Sequence, residues 1–235
     1  MRLNKYISGT GFCSRRKADE YIEQKKVTIN GEIATLGQAA EQGDVIYVDG
    51  TLLKENNAEV YIILNKPAGI TCTTERHIEG NIIDFVNHKE RIFPVGRLDK
   101  DSEGLILLTN DGDIVNRILR EENNHKKDYI VTVNQSITPS FLKDMANGVK
   151  IYNAVKNEYT ITKQCEVVQI KHNSFKITLS QGLNRQIRRM CSHFGYDVIQ
   201  LRRVKIMHLE LGDLKIGQWR NLTAGELERM KAKLY

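Results

Sequence analysis

The segment PVGRLDKDSEGLILLTNDGD, Pro94 to Asp113, decides how this chain is read. Gly96 and Gly104 bracket a short charged loop, and the apolar run Leu105 to Leu108 follows it as a strand. Within the loop three acids, Asp99, Asp101 and Glu103, fall at alternate positions beside Arg97 and Lys100. A loop of this kind between strands often does no more than face water. A calcium loop is a second reading, because Asp99, Asp101, Glu103 and Gly104 mimic its opening half. That reading fails at the twelfth position, where a bidentate Glu is needed and Asn110 stands, and the flanks are β-like. No metal site is expected.

On the N-terminal side of this segment, VYIILNKPAG (Val60 to Gly69) reads as an apolar strand ending at a Pro-x-Gly turn. On the C-terminal side, strand-like alternation recurs at Tyr129 to Val133 and at Phe175, Ile177 and Leu179. Helical patterns lie around Ile82–Val86, Asp113–Arg120, Ser140–Asn147 and Asn184–Phe194. The last helix opens with a capping box, Thr223 and Glu226, and places Leu227, Met230 and Leu234 on one face. Strands and helices without regular β-α-β alternation indicate an α+β domain.

The first fifty residues read as a separate small α/β module. Leu3, Tyr6 and Ile7 have helical spacing, and Ser14 can cap a second helix carrying Ala18, Tyr21 and Ile22. Val27 and Ile29 alternate as a strand, Asn30-Gly31 is a two-residue hairpin turn, and Val45 to Val48 closes the module. The expected division is 1–50 for this module, 51–59 for a polar linker and 60–235 for the larger domain.

The chain has 235 residues, a net charge of +6 and 40% hydrophobic residues, an ordinary globular composition. Its charge is clustered. Arg2, Lys5, Arg15, Arg16, Lys17, Lys25 and Lys26 precede Asn30 against Asp19, Glu20 and Glu23. Arg185, Arg188, Arg189, Arg202, Arg203 and Lys205 lie between Gln181 and Lys205 against Asp197 alone. Two basic clusters suit a polyanion touched at two places, since each neutralised phosphate releases counterions. Two solvated faces would explain the same pattern. No apolar run is long enough to span a membrane and the N-terminus is too polar for a signal peptide, so a cytoplasmic protein without membrane contact is expected. Cys13, Cys72, Cys165 and Cys191 form no C-x-x-C pair, which argues against zinc and against a disulfide framework.

Taken together, GRLDKDSEGLILLTNDGD, LNKPAGITCTT before it, and KDYIVTV and LSQGLNRQIRRMCSHFGYDVIQLRRVKI after it resemble the RNA pseudouridine synthases. The N-terminal RLNKYIS, CSRRKADEYIEQKKVTINGE and GDVIYVDG resemble the S4 RNA-binding domain, so the chain is identified as a member of the S4-bearing RsuA family. GNIIDFVNH and IFPVGRLDKDSEGLI point to its RluF-type subgroup, which acts on 23S ribosomal RNA. The resemblance implies a mixed, mainly antiparallel sheet with flanking helices, a ribosomal RNA substrate and a reaction that needs no cofactor. It leaves open whether transfer RNA is an additional substrate, and a monomer is the default expectation.

By motif position, Asp99 corresponds to the family's catalytic carboxylate, with Asp101 and Glu103 outside that role. Tyr129 matches the tyrosine that stacks on the target base, Arg188 the basic residue that pairs with the aspartate, and Leu201 the apolar residue lining the base pocket. Arg97 belongs to the same motif. In the helix around these arginines, Ile187, Met190, Cys191 and Phe194 make the inward stripe, Arg188 sits at its edge, and Arg185 and Arg189 point toward solvent or RNA. Arg2, Lys5, Arg15, Arg16, Lys17, Arg185 and Arg189 are the expected RNA contacts. Two other functions compete. A non-catalytic RNA-binding or assembly factor accounts for the charge but not for the motifs. A glycoside hydrolase needs a second carboxylate and an aromatic platform, and Trp219 is the only tryptophan.

Overall fold

Local chemistry at Ser14 and Asn30-Gly31 sets the N-terminal unit in the computed structural model, which describes residues 1–54, 59–153 and 157–234. Helix α1 (Leu3–Gly9) buries Leu3 and Ile7, one turn apart on the same face. Helix α2 (Arg15–Glu23) starts where Ser14 Oγ accepts the Lys17 amide, and it buries Ala18 and Ile22. Strands β1 (Val27–Ile29) and β2 (Glu32–Ile33) pair around Asn30 and Gly31, whose φ values of 52° and 90° are those a type I′ turn requires. Strands β3 (Ile46–Val48) and β4 (Thr51–Leu52) complete a sheet of order β2-β1-β3-β4 over a core that includes Leu3, Ile7, Ile22, Val27 and Val48. Thus β4 extends the sheet into the segment expected as linker, and residues 55–58 of that segment lie outside the described residues.

The chain forms two compact units. One holds Met1–Val60 with the short stretches Lys89–Arg91 and Asn110–Gly112, and the other holds the remainder. In the larger unit β5 (Tyr61–Lys66) is buried along its whole length, which explains its unbroken apolar run. Then come α3 (Ile82–Val86), β6 (Phe93–Pro94), β7 (Glu103–Thr109), α4 (Asp113–Leu119), β8 (Lys127–Val133) and α5 (Pro139–Asn147). Strands β9 (Lys150–Asn153) and β10 (Glu158–Ile161) form a separate two-stranded ribbon. The chain continues through β11 (Glu166–Lys171), β12 (Ser174–Leu179), α6 (Gln186–His193), β13 (Val198–Ile206), β14 (Leu209–Glu210), β15 (Trp219–Asn221) and α7 (Ala224–Leu234).

The main sheet runs β11-β12-β8-β13-β7-β5-β15, with β6 on β7 and β14 on β13. Its pairings are antiparallel except that of β13 with β7, so the mixed, mainly antiparallel α+β architecture is as expected. The sequence reading did not assign β4, β6, β9, β10, β11, β13, β14 or β15 as strands. Strand β11 is an edge strand with Val168 and Ile170 exposed, so it has no inward apolar alternation to detect.

Two apolar cores flank the sheet's centre. One packs Val131, Phe175, Leu201, Phe141, Ile187 and Met190, from β8, β12, β13, α5 and α6. The other packs Ile63, Leu105, Leu107, Ile206, Ile114 and Met230, from β5, β7, β13, α4 and α7. Each fully buried Ile or Leu contributes about 1.5–3 kcal/mol. Strand β13 therefore serves both cores, and its register shifts between Arg203 and Lys205 as it passes from one to the other.

Candidate active site

Gly104 allows β7 and β13 to meet. Its φ is +103°, and a Cβ at this position would lie 2.1 Å from the Arg203 carbonyl oxygen. No side chain fits there, and the parallel pairing is confined to Arg202↔Glu103 and Arg203↔Gly104. Buried Arg203 then reaches back from β13, its Nε donating to the Leu105 carbonyl at 2.7 Å and its Nη1 to the Arg97 carbonyl at 3.5 Å.

The other side of the charged loop is held by the turn after β5. Lys66 is wholly buried and donates to the Pro67 and Ile70 carbonyls at 2.9 and 2.8 Å, which folds the Pro-x-Gly turn; burial pushes its ammonium pKa down. From this turn the Gly69 amide donates to the Lys100 carbonyl at 2.7 Å, and Cys72 Sγ accepts from the Leu98 amide at 3.4 Å. The Ser102 amide donates to the Asp99 carbonyl at 3.0 Å. Asp99 therefore stands on a backbone braced from β13 on one side and from the β5 turn on the other.

The Asp99 side chain lines a cavity of about 580 Å³ that opens where the two cores part. Leu107, Ile118 and Ile206 wall it from one core, and Leu179, Ile187 and Leu201 from the other. Half-buried Tyr129 lies on β8 in register with Arg203 across the β8–β13 pair. Of the expected site residues, Asp99, Tyr129, Leu201, Arg97 and Arg185 line this cavity, and Arg188 does not. Two buried cations that the sequence reading did not select, Lys127 and Arg203, line it as well. The signal for both was the two-residue period of a strand, since Lys127 precedes Tyr129 by two positions and Arg203 follows Leu201 by two.

The arginines are arranged differently from expectation. Arg188 was expected on Asp99. Its Nη2 instead lies 3.2 Å from Asp101 Oδ2 and donates to the Asp101 carbonyl at 3.1 Å, while Nη1 donates to the Val198 carbonyl at 3.0 Å. Arg185 takes the position near both acids, making a two-pronged contact to Asp101 at 3.1 and 3.0 Å and standing 3.8 Å from Asp99 Oδ2. The reason is local. Helix α6 begins at Gln186, two residues later than the pattern read from sequence, and Arg185 precedes it in the left-handed conformation at φ 49°. Arg185 is therefore off the helical wheel and turns toward the acidic loop. Arg189, expected to face solvent or RNA, donates to the Tyr152 carbonyl at 2.7 Å and to Asn184 Oδ1 at 2.8 Å. The Arg185 hydrogen bonds, and then the charge of Arg188, hold the Asp101 carboxyl below the usual carboxylate range.

This arrangement offers one carboxylate, neighbouring cations, an aromatic ring and apolar walls in a volume suited to a small organic group. Among the described residues no group of three His, Cys, Asp or Glu is placed to hold a metal. In the small unit Arg2, Arg15, Arg16 and Lys17 are exposed and Lys5 is half-buried, with Lys17 paired to Glu20 at 2.6 Å.

Comparison with known proteins bears on this geometry. Residues 60–193 match the family model for RNA pseudouridylate synthases, and residues 1–46 match that for S4 domains. The chain is 54% identical to the dual-specificity RNA pseudouridine synthase RluF of Escherichia coli K12, over 97% of this chain and 77% of that one. It is 35% identical to ribosomal large subunit pseudouridine synthase B of Bacillus subtilis, over 98% and 96%. A crystal structure of a pseudouridylate synthase superposes with a TM-score of 0.71 at 31% identity, covering 98% of this chain and 99% of that one.

Proposed function

This chain belongs to the RNA pseudouridylate synthase family, and we propose that it isomerises specific uridines of ribosomal RNA, chiefly 23S RNA, to pseudouridine with Asp99 as catalytic carboxylate. The observation that carries this reading is a single carboxylate, Asp99, lining with Tyr129 a cavity that has apolar walls and neighbouring cations. A uridine extruded from its stack loses a few kcal/mol of stacking, and a tyrosine ring against the base restores part of it. The Asp99 carboxylate then attacks C1′ of the ribose or removes a ribose proton. The N1–C1′ bond breaks, the uracil turns within the cavity, and C5 bonds to C1′. The C5 proton leaves and N1 gains one, so the nucleotide keeps its formula. No water is consumed and no group departs, so the chemistry requires neither metal nor redox cofactor.

The large-subunit assignment is supported by the name of the Bacillus relative, and the Escherichia relative's name gives that enzyme two specificities, so transfer RNA is the second substrate to assay. The proposed division into an S4 module in 1–50 and a synthase domain in 60–235 is supported by the two family matches. Strand β4 and the compact units extend the small module's structure into the expected linker 51–59 and add the short stretches 89–91 and 110–112 to it. We take the protein to work as a monomer in the cytoplasm; no described helix is long and apolar enough to cross a membrane. The deciding assay is tritium release from RNA labelled at uridine C5. Wild-type protein should release tritium from 23S RNA, and Asp99→Asn should lose at least about 100-fold in turnover while still binding RNA. Turnover by Asp99→Asn at the wild-type rate would refute the catalytic assignment.

A further inference from the structure

We infer that the β9–β10 ribbon is a base-stacking platform that grips RNA beside the target nucleotide, with Tyr159 as the stacking ring and Lys150 as the phosphate contact. This inference rests on the function proposed above.

The register pairs Tyr159 with Tyr152 and Ile161 with Lys150, so these four side chains share one face of the ribbon. The opposite face carries Ile151 and Asn153, both buried. Tyr152, Tyr159 and Ile161 are 44%, 67% and 69% exposed, an unusual density of large side chains turned to water. The two tyrosine rings meet edge to face at 5.5 Å, and Lys150 Nζ lies 5.2 Å from the Tyr159 centroid. These four described residues therefore combine two aromatic rings with a cation and include no acid. That complement matches an unpaired nucleotide, whose base stacks on a ring while its phosphate meets an ammonium.

The ribbon's base is rigid and is tied to the cavity. Gly148 has φ +98°, and a Cβ there would lie 2.4 Å from the Thr162 carbonyl oxygen. Across the same approach the Val149 amide donates to Thr162 Oγ1 at 2.9 Å and the Thr162 amide to the Val149 carbonyl at 3.0 Å. Farther along, Arg189 joins the Tyr152 carbonyl to Asn184, which lines the cavity next to Arg185. A nucleotide held on Tyr159 would thus be fixed relative to the residue that stands beside Asp99.

The experiment uses the full chain and 23S RNA labelled with tritium at uridine C5, with dissociation constants from filter binding and turnover from tritium release. Tyr159→Ala should raise Kd and KM by about 5- to 100-fold and leave kcat within about twofold. Tyr159→Phe, which keeps the ring, should behave as wild type, and this separates stacking from damage to the fold. Lys150→Ala should lower the slope of log affinity against log salt by about 0.7. Wild-type affinity and KM in Tyr159→Ala would overturn the inference. Unchanged RNA affinity with loss of self-association in sedimentation would overturn it too, by assigning the face to a second copy of the chain. The two readings fail separately. Tritium release by a wild type whose RNA affinity ignores Tyr159 leaves the activity standing, whereas Tyr159-dependent binding without any tritium release leaves the platform standing.

Discussion

Asp99 and Asp101 are two residues apart, yet their partners separate their roles. Asp101 is engaged by Arg185 through both oxygens and by Arg188, whereas Asp99 lines the cavity with Arg185 at 3.8 Å as its near cation. Asp101 thus works as a clamp that sets where Arg185 stands. Asp101→Asn should lower kcat/KM by roughly tenfold, far less than Asp99→Asn, and the comparison of the two by tritium release tests the division. Asp99, Tyr129 and Leu201 were legible in the sequence because each sits within a motif of fixed order. Which arginine meets which acid was not legible. That choice turns on the left-handed backbone of Arg185, and a helical wheel assumes the helix has already begun. Lys127 and Arg203 were passed over for a related reason, since a charged residue in a strand is ordinarily assigned to the solvent face.

Elements with an unbroken or regularly spaced apolar pattern were read from the sequence. Strand β13, which serves both cores, was not, because Arg202, Arg203 and Lys205 interrupt its apolar residues. Strands β5, β8 and β12 and helices α3 to α7 carry apolar residues at the period of their own geometry. Strand β9 buries only Ile151 and Asn153, and β10 and edge strand β11 expose large side chains, so these short strands leave little trace in the sequence. The meeting of β7 and β13 depends on one glycine. Gly104→Ala drives a methyl into the Arg203 backbone at an unfavourable φ, and should cost about 3 kcal/mol or more in urea unfolding. Helix α7 shows a feature the sequence did reveal, and its consequence depends on pH. Glu226 accepts two hydrogen bonds from Arg220 at 2.7 Å, and one each from the Thr223 amide and hydroxyl at 2.8 and 3.1 Å. Arg220 above all lowers the Glu226 pKa from 4.5 to about 2. A carboxylate depressed in this way contributes stability that is fully present above pH 4.5 and is lost as pH falls through about 2. Glu226→Gln should therefore destabilise the protein by about 1–2 kcal/mol at pH 7, and its stability should fall less steeply than wild type between pH 4.5 and 2.

At the scale of the molecule, the two units carry different family matches, the small one to S4 domains and the large one to RNA pseudouridylate synthases. Exposed Arg15, Arg16 and Lys17 crowd the first turn of α2, where positive charge opposes the helix dipole, so their placement is better explained by an anionic partner than by helix stability. Replacing all three with alanine in the full chain should reduce the salt slope of RNA binding by about 2 and raise Kd, with kcat retained. An unchanged slope would show that this turn does not meet phosphate. The thiols carry a last consequence. Cys13, Cys72 and Cys191 are buried, and burial raises the pKa of all four cysteines, Cys165 to about 11 and Cys191 to about 12. At neutral pH the native chain therefore holds almost no thiolate. A cysteine introduced on either unit's surface would be the fast-reacting group toward maleimide dyes. Fluorophore pairs could then report distances between the two units during RNA capture without first stripping the protein of its own sulfur.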